Sequence, residues 1–167
     1  LNSIALKADG SLRDALSLLD KIIALSDKNI TYEVTASALG IVDQNLYLKL
    51  TNAIFSQDIK ECLNCIDLIV SSGVSNSNFL DGYLSYIRNA IFYIVIEKNE
   101  HNMSNESIDF LNQNKNNLVK FKYIMNSIIE QLNANKNLNI IEVENLFFKF
   151  FKLNHNTSNT EKKQKLK

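Results

Sequence analysis

The sequence predicts an all-α protein, and three observations carry that prediction. The 167 residues include no Pro and only four Gly, so little in the chain interrupts a helix. Apolar residues recur at three- and four-residue spacing in segment after segment. Two segments open on a capping pattern, Ser11 with Asp14 and Asn139 with Glu142.

Residues 1–8 read as the last turns of a helix, with Leu1, Ile4, Ala5 and Ala8 on one side. Gly10 permits a tight entry, and Ser11 is a good N-cap for a helix over 12–25. Leu12, Ala15, Leu16, Leu19, Ile22 and Ile23 form its apolar stripe. Asp27-Lys28-Asn29 is a polar turn. Thr31 caps a short helix over 32–39, and Gly40 ends it as a C′ residue does. These pieces make a small helical unit over 1–40, with the domain boundary expected at 40–43.

The second unit, 41–153, reads as a helical bundle. A helix over 44–55 turns Leu46, Leu50, Ala53 and Ile54 inward. The next begins at Gln57-Asp58, carries Ile59, Cys62, Leu63, Ile66, Ile69 and Val70 as its stripe, and closes at Gly73. A long helix over 77–97 is apolar nearly all round from Ala90 to Ile96, the pattern of a central buried helix. After a polar connection, residues 107–111 form a turn or two, and a helix over 116–132 follows. The last helix, 140–153, spreads Phe147, Phe148, Phe150 and Phe151 over most of its circumference. One side of it packs inside, and the other is a candidate partner surface, since a wide aromatic patch is unusual on a monomer. Residues 154–167 turn polar and basic and are expected to be a disordered tail.

The charge balance is neutral, with 18 basic and 18 acidic residues. Setting aside the four Lys and one Glu of the tail leaves a body at about −3. Strong nucleic-acid binding by this chain is therefore not expected, because that affinity comes from neutralising many phosphates. Two Cys do not make a secreted disulfide framework, and the apolar run 90–96 is far too short to span a bilayer. No signal peptide is visible, and the chain opens without Met in what reads as the middle of a domain, so it is expected to be an excised fragment.

Arg13 is the odd residue of the first helix. It falls in the first turn, where the helix dipole disfavours a cation by roughly 0.3–1 kcal/mol. It shares the polar face with Ser17 and Asp20. Two readings stand: a solvated or carboxylate-paired Arg, and an Arg placed to meet an anion at the helix start. The other candidates favour plain readings. Cys62 and Cys65 lie mid-helix as core thiols, without the further ligands zinc needs. His101 is a solvated loop His; Arg88 is by default a surface ion-pair residue, with a buried or interfacial Arg as the alternative; and Lys162, Lys163 and Lys165 resemble a basic patch that a solvated linker explains as well. No Gly-rich phosphate loop and no metal-binding carboxylate motif occurs, so no catalytic residue is expected here.

The run Ala8-Asp9-Gly10-Ser11-Leu12-Arg13-Asp14-Ala15-Leu16-Ser17-Leu18-Leu19-Asp20 resembles the sensor 2 segment of the bacterial DNA polymerase III gamma/tau family, the AAA+ motor of the sliding-clamp loader. Ile30-Thr31, Val34 and Leu39-Gly40-Ile41-Val42-Asp43 are similar to that family's next helix and the junction to its third domain. Asn135-Lys136-Asn137-Leu138 followed by Glu142 resembles its Asn-Pro-Arg element, with the Pro and Arg absent.

The resemblance implies that residues 1–40 are the later part of an ATPase lid and 41–153 a collar domain. It implies a nucleotide-sensing role for Arg13, which reaches phosphates from the lid. It implies ATP and Mg in the full-length subunit, with no cofactor held by this fragment. Implied partners are other copies of the subunit, delta and delta-prime, with the sliding clamp and primed DNA engaged through the whole assembly. The location implied is cytoplasmic, with no membrane contact, and the tail would lead toward a tau-type extension or end. Two other readings compete: the lid and collar of another AAA+ loader, such as a replication-factor type, and a helical interaction module with no ATPase relatives.

Overall fold

The computed structural model describes residues 4, 8, 10–26, 29–101, 103–135 and 137–152. Eight α-helices and one 3-10 turn are defined among these residues, with no strand. They are α1 (Leu12–Leu25), α2 (Tyr32–Leu39), α3 (Gln44–Ser56), α4 (Ile59–Ser71), α5 (Asn76–Ile96), α6 (Asn105–Gln113), α7 (Leu118–Ala134) and α8 (Ile140–Lys152). The all-α expectation holds. The expected first helix is described only at Ile4, which is helical, and Ala8; the expected tail, 154–167, lies outside the described residues.

Caps explain most boundaries. The side chains of Ser11, Asp43, Asp58, Ser75 and Ser104 each accept a backbone N–H in the first turn of the helix that follows. Ser104 accounts for α6 being longer than expected: its Oγ takes the Ser107 N–H at 3.2 Å, and the helix starts at Asn105. Asn139 and Glu142 close a reciprocal box at the head of α8, with bonds of 2.8 and 3.0 Å. Gly40 stands at φ +63°, and the Ile41 N–H reaches back to the Ala36 carbonyl at 2.8 Å, a Schellman closure of α2.

Two apolar clusters form. In the first, α1 packs on α2 through Ile22, Ala38 and Leu39, with Ile4 buried among them and Ala15, Leu18, Leu19 and Ile41 at its edge. This corrects the expected stripe. Leu12, Leu16 and Ile23 are exposed, Leu12 to 76%. The eight-residue α2 covers only one strip of a fourteen-residue partner.

The second cluster is the bundle α3–α8. α3 and α4 form a hairpin whose turn residue, Gln57, takes a left-handed φ of 61°. α5 runs along α7, and α8 lies against α4 and α7. Aromatic rings fill the centre: Phe79 stacks on Phe147 at 5.7 Å, and Tyr47, Tyr83 and Tyr86 pack beside them. Each of the three tyrosine hydroxyls has a partner, so burying them leaves no lone polar group. Tyr47 donates to the Phe79 carbonyl, Tyr83 meets Thr51 Oγ1 at 3.1 Å, and Tyr86 donates to Ser107 Oγ.

The expected fully buried stretch Ala90–Ile96 is a second correction. Ala90 is buried, but Ile91 to Ile94 are half-buried, and Val95 and Ile96 are 59% and 46% exposed. The far end of α5 carries apolar residues beyond the surface its neighbours cover.

Candidate functional site

The start of α1 is built by three residues. Gly10, at φ +81°, turns the chain into the helix. Ser11 is extended at φ −83° and ψ 111°, and its Oγ accepts the Asp14 N–H at 3.3 Å. The expected capping box is only half formed. The Ser11 N–H goes to the Ala8 carbonyl at 2.8 Å, and Asp14 has a shorter side chain than the Glu of the usual box.

Arg13 stands in this first turn and is exposed. Among the described residues no carboxylate pairs with it. Ser17 donates to the Arg13 carbonyl at 3.0 Å, and Ser17 and Asp20 lie exposed on the same helix. The guanidinium is thus free to take a ligand from outside the pair α1–α2, beside a helix start that itself favours an anion.

The four phenylalanines of α8 part company. Phe147, Phe150 and Phe151 are buried in the bundle core, where Phe147 meets Phe79, Tyr83 and Phe150. These three form the side expected to pack inside, and of the four candidates for a partner surface Phe148 is the one that stays half-buried. At 3.6 residues per turn, 147, 150 and 151 share one face and 148 falls off it. The helical periodicity carried that distinction, but the density of rings hid it.

Cys62 and Cys65 are buried core thiols. Burial and the neighbouring Cys65 push the Cys62 thiol up to about 12; burial and Glu61 push Cys65 up to about 11. Both stay protonated near neutrality, as buried structural thiols do. No group of three or more His, Cys, Asp or Glu able to hold a metal occurs among the described residues. His101 is not the solvated residue expected. It is half-buried, its ring meets Phe92 edge-on at 4.8 Å, and its Nε2 is buried with no hydrogen-bond partner among the described residues. Arg88 makes no ion pair among them either; its Nη1 donates to Asn89 Oδ1 at 3.4 Å. Among the described residues, no helix is long and apolar enough to cross a membrane.

Sequence reasoning missed one surface. A groove of about 430 Å³ runs between α5 and α7, lined by Arg88, Ile91, Phe92, Val95, Ile96 and Met125. Its signal in the sequence is the all-round apolar run 90–96, a pattern that a buried helix shares.

Among the described residues the chain is a set of packed helices, with an exposed Arg13 in the first turn of α1 that no carboxylate pairs. Residues 1–28 match the DNA polymerase III clamp loader subunit ATPase lid domain, and residues 30–120 match domain III of DNA polymerase III subunits gamma and tau. The class is therefore an ATPase lid continued by a helical domain. The chain belongs to the family of DNA polymerase III subunits gamma and tau.

Relatives agree. DNA polymerase III subunit gamma/tau of Mycoplasma genitalium is 34% identical over 127 residues, 72% of this chain and 21% of that protein. DNA polymerase III subunit tau of Bacillus subtilis is 29% identical over 93 residues, 56% of this chain and 16% of its own length. That of Escherichia coli is 32% identical over 74 residues, 44% of this chain and 12% of its own. The chain spans about a fifth or less of the length of these three proteins. The two family matches divide at residues 28–30, ahead of α2, whereas the apolar clusters divide after it.

Proposed function

We propose that this chain serves a clamp-loader subunit as a nucleotide-sensing and assembly element. Arg13 takes a phosphate oxygen of a nucleotide held by another domain, and the bundle α3–α8 holds neighbouring subunits of the loader. ATP with Mg would supply the driving chemistry, outside this fragment. The observation that carries the reading is Arg13 itself: exposed in the first turn of α1, unpaired among the described residues, and inside the lid match.

A guanidinium fits such a ligand, offering five N–H donors in a fixed fork. Arg13 gains the contact only in the nucleotide-bound state, so it biases the lid between two positions. A hydrogen bond to a charged group is worth on the order of 1.5–3 kcal/mol, enough to shift a two-state equilibrium tenfold or more. Leu39–Gly40 then passes the lid's movement to the bundle through the turn into α3. The partners we assign are other copies of the subunit and its delta and delta-prime companions, with clamp and primed DNA engaged by the assembly in the cytoplasm.

The test is Arg13→Ala in the full-length subunit. Clamp-stimulated ATP turnover and clamp loading should fall by about tenfold or more, with the helical content unchanged. Loading that is unaltered at saturating ATP would remove the sensing role.

A further inference from the structure

We infer that the α5–α7 groove binds a medium-chain fatty acid, with the carboxylate on Arg88 and the acyl chain laid along α5. The inference stands apart from the nucleotide-sensing role and concerns a ligand of the bundle itself. Arg88, Ile91, Phe92, Val95 and Ile96 recur three and four residues apart, so they form one strip on α5, and Met125 supplies the wall from α7. The groove volume of about 430 Å³ lies within the range of small-molecule sites.

Polarity is segregated along the strip. Arg88 stands at one end, and the other five lining residues are apolar. Val95 and Ile96 are exposed, and Ile91, Phe92 and Met125 are half-buried, so a ligand finds apolar surface to cover. The Phe92 ring is braced by His101, edge-on at 4.8 Å. Arg88 is exposed and pairs with no carboxylate among the described residues. Its one side-chain bond among them is the 3.4 Å contact to Asn89 Oδ1, which leaves most of its five donors for a carboxylate.

The matching ligand is charged at one end and apolar along the rest, and the helix sets its length. Arg88 and Ile96 are eight residues apart, about 12 Å along the axis at about 1.5 Å per residue. A staggered alkyl chain advances a little less than its C–C bond of about 1.5 Å at each carbon, so about ten carbons cover the strip. An extended peptide fits less well. It carries an N–H and a C=O at nearly every residue, and the apolar lining side chains offer these no partner once water leaves. A nucleotide brings its polar base and sugar to the same apolar wall. The remaining rival is a helix from another protein, which satisfies its own backbone.

Isothermal titration calorimetry tests the inference on this chain, with a saturated series from hexanoate to dodecanoate, each below its micelle concentration. Affinity should rise about two- to fourfold per added methylene up to about ten carbons and then level off. Decanol has the chain without the charge. It should bind about tenfold more weakly than decanoate, and Arg88→Ala should abolish that difference. Val95→Asp, at a 59% exposed position, should cut decanoate affinity about tenfold with the circular dichroism unchanged. A wild type that binds no member of the series overturns the inference. If Val95→Asp then alters association with other clamp-loader subunits, the groove belongs to a protein partner. Decanol binding as tightly as decanoate, or affinity indifferent to Arg88→Ala, leaves apolar adsorption only and overturns it too. The Arg13→Ala test of nucleotide sensing is independent of each of these results.

Discussion

Gly82 leaves the space that Tyr47 occupies. A Cβ built at Gly82 would overlap the Tyr47 hydroxyl, which donates to the Phe79 carbonyl one turn earlier on α5. A glycine inside a helix costs roughly 0.5–1 kcal/mol relative to Ala, so propensity alone favours Gly82→Ala. Packing decides otherwise. Tyr47 is 5% exposed and held among Phe79, Tyr83 and Tyr86, so making room for a Cβ means breaking its ring packing and its bond to the Phe79 carbonyl. Overpacking costs about 1–3 kcal/mol, and Gly82→Ala should lower stability by about 1–2 kcal/mol net. Urea denaturation checks it. Adding Tyr47→Phe, which removes the overlapping oxygen, should return part of the loss.

Stability should fall at alkaline pH, beginning near the ordinary thiol range. Cys62 and Cys65 hold their protons up to about 12 and 11 in the folded chain, against 9.0 for an ordinary thiol. Burial likewise raises Tyr47 and Tyr83, and Tyr86 to about 12. A raised folded pKa confers stability that is full below the unfolded value and lost as pH rises above it. Each group then removes about 1.4 kcal/mol per pH unit within its window. Lys120 works the other way, since burial lowers its pKa, but it is one group against five. Denaturation midpoints should be level through neutrality and drop steadily above about pH 9. Replacing both Cys by Ala should move that onset toward pH 10, where the tyrosines take over.

The box at the head of α8 gives a cleaner cap test than the one at α1. Asn139 and Glu142 bond in both directions, whereas Ser11 serves α1 in one direction only. Asn139→Ala should cost about 1 kcal/mol, within the range for loss of an N-cap. Because α8 buries Phe147 and Phe150, that cost should appear in global unfolding rather than as local fraying. A fluorescence or circular-dichroism melt is sufficient to see it.

The helices were legible because caps and periodicity are local. Ser11, Thr31, Asp58 and Asn139 announce their helices within four residues, and the boundaries follow them. The spacing of Arg13 leaves two readings open, and only the resemblance favours the nucleotide-sensing one. What periodicity could not give is which apolar face finds a partner. Leu12 and Leu16 sit in a sound amphipathic pattern, yet α2 is too short to cover them. Ile91 to Ile96 read as core because an apolar run says nothing about how far the neighbouring helix extends. Gly82 was unreadable for the same reason: its cause, Tyr47, lies 35 residues away.

Phe147 and Phe148 are adjacent in sequence and should behave as opposites. Phe147 is 1% exposed and touches three rings, Phe79, Tyr83 and Phe150. Phe147→Ala should cost about 3–5 kcal/mol, a large share of the 5–15 kcal/mol that holds a typical domain together. Phe148 is half-buried on the flank of α8, and Phe148→Ala should cost about 1 kcal/mol or less. Its effect should fall on self-association instead, weakening it while the melt is nearly unchanged. Denaturation and sedimentation on the same two variants separate the roles. If Phe148→Ala unfolds the chain as Phe147→Ala does, both rings belong to the core and the outer face of α8 loses its part in assembly.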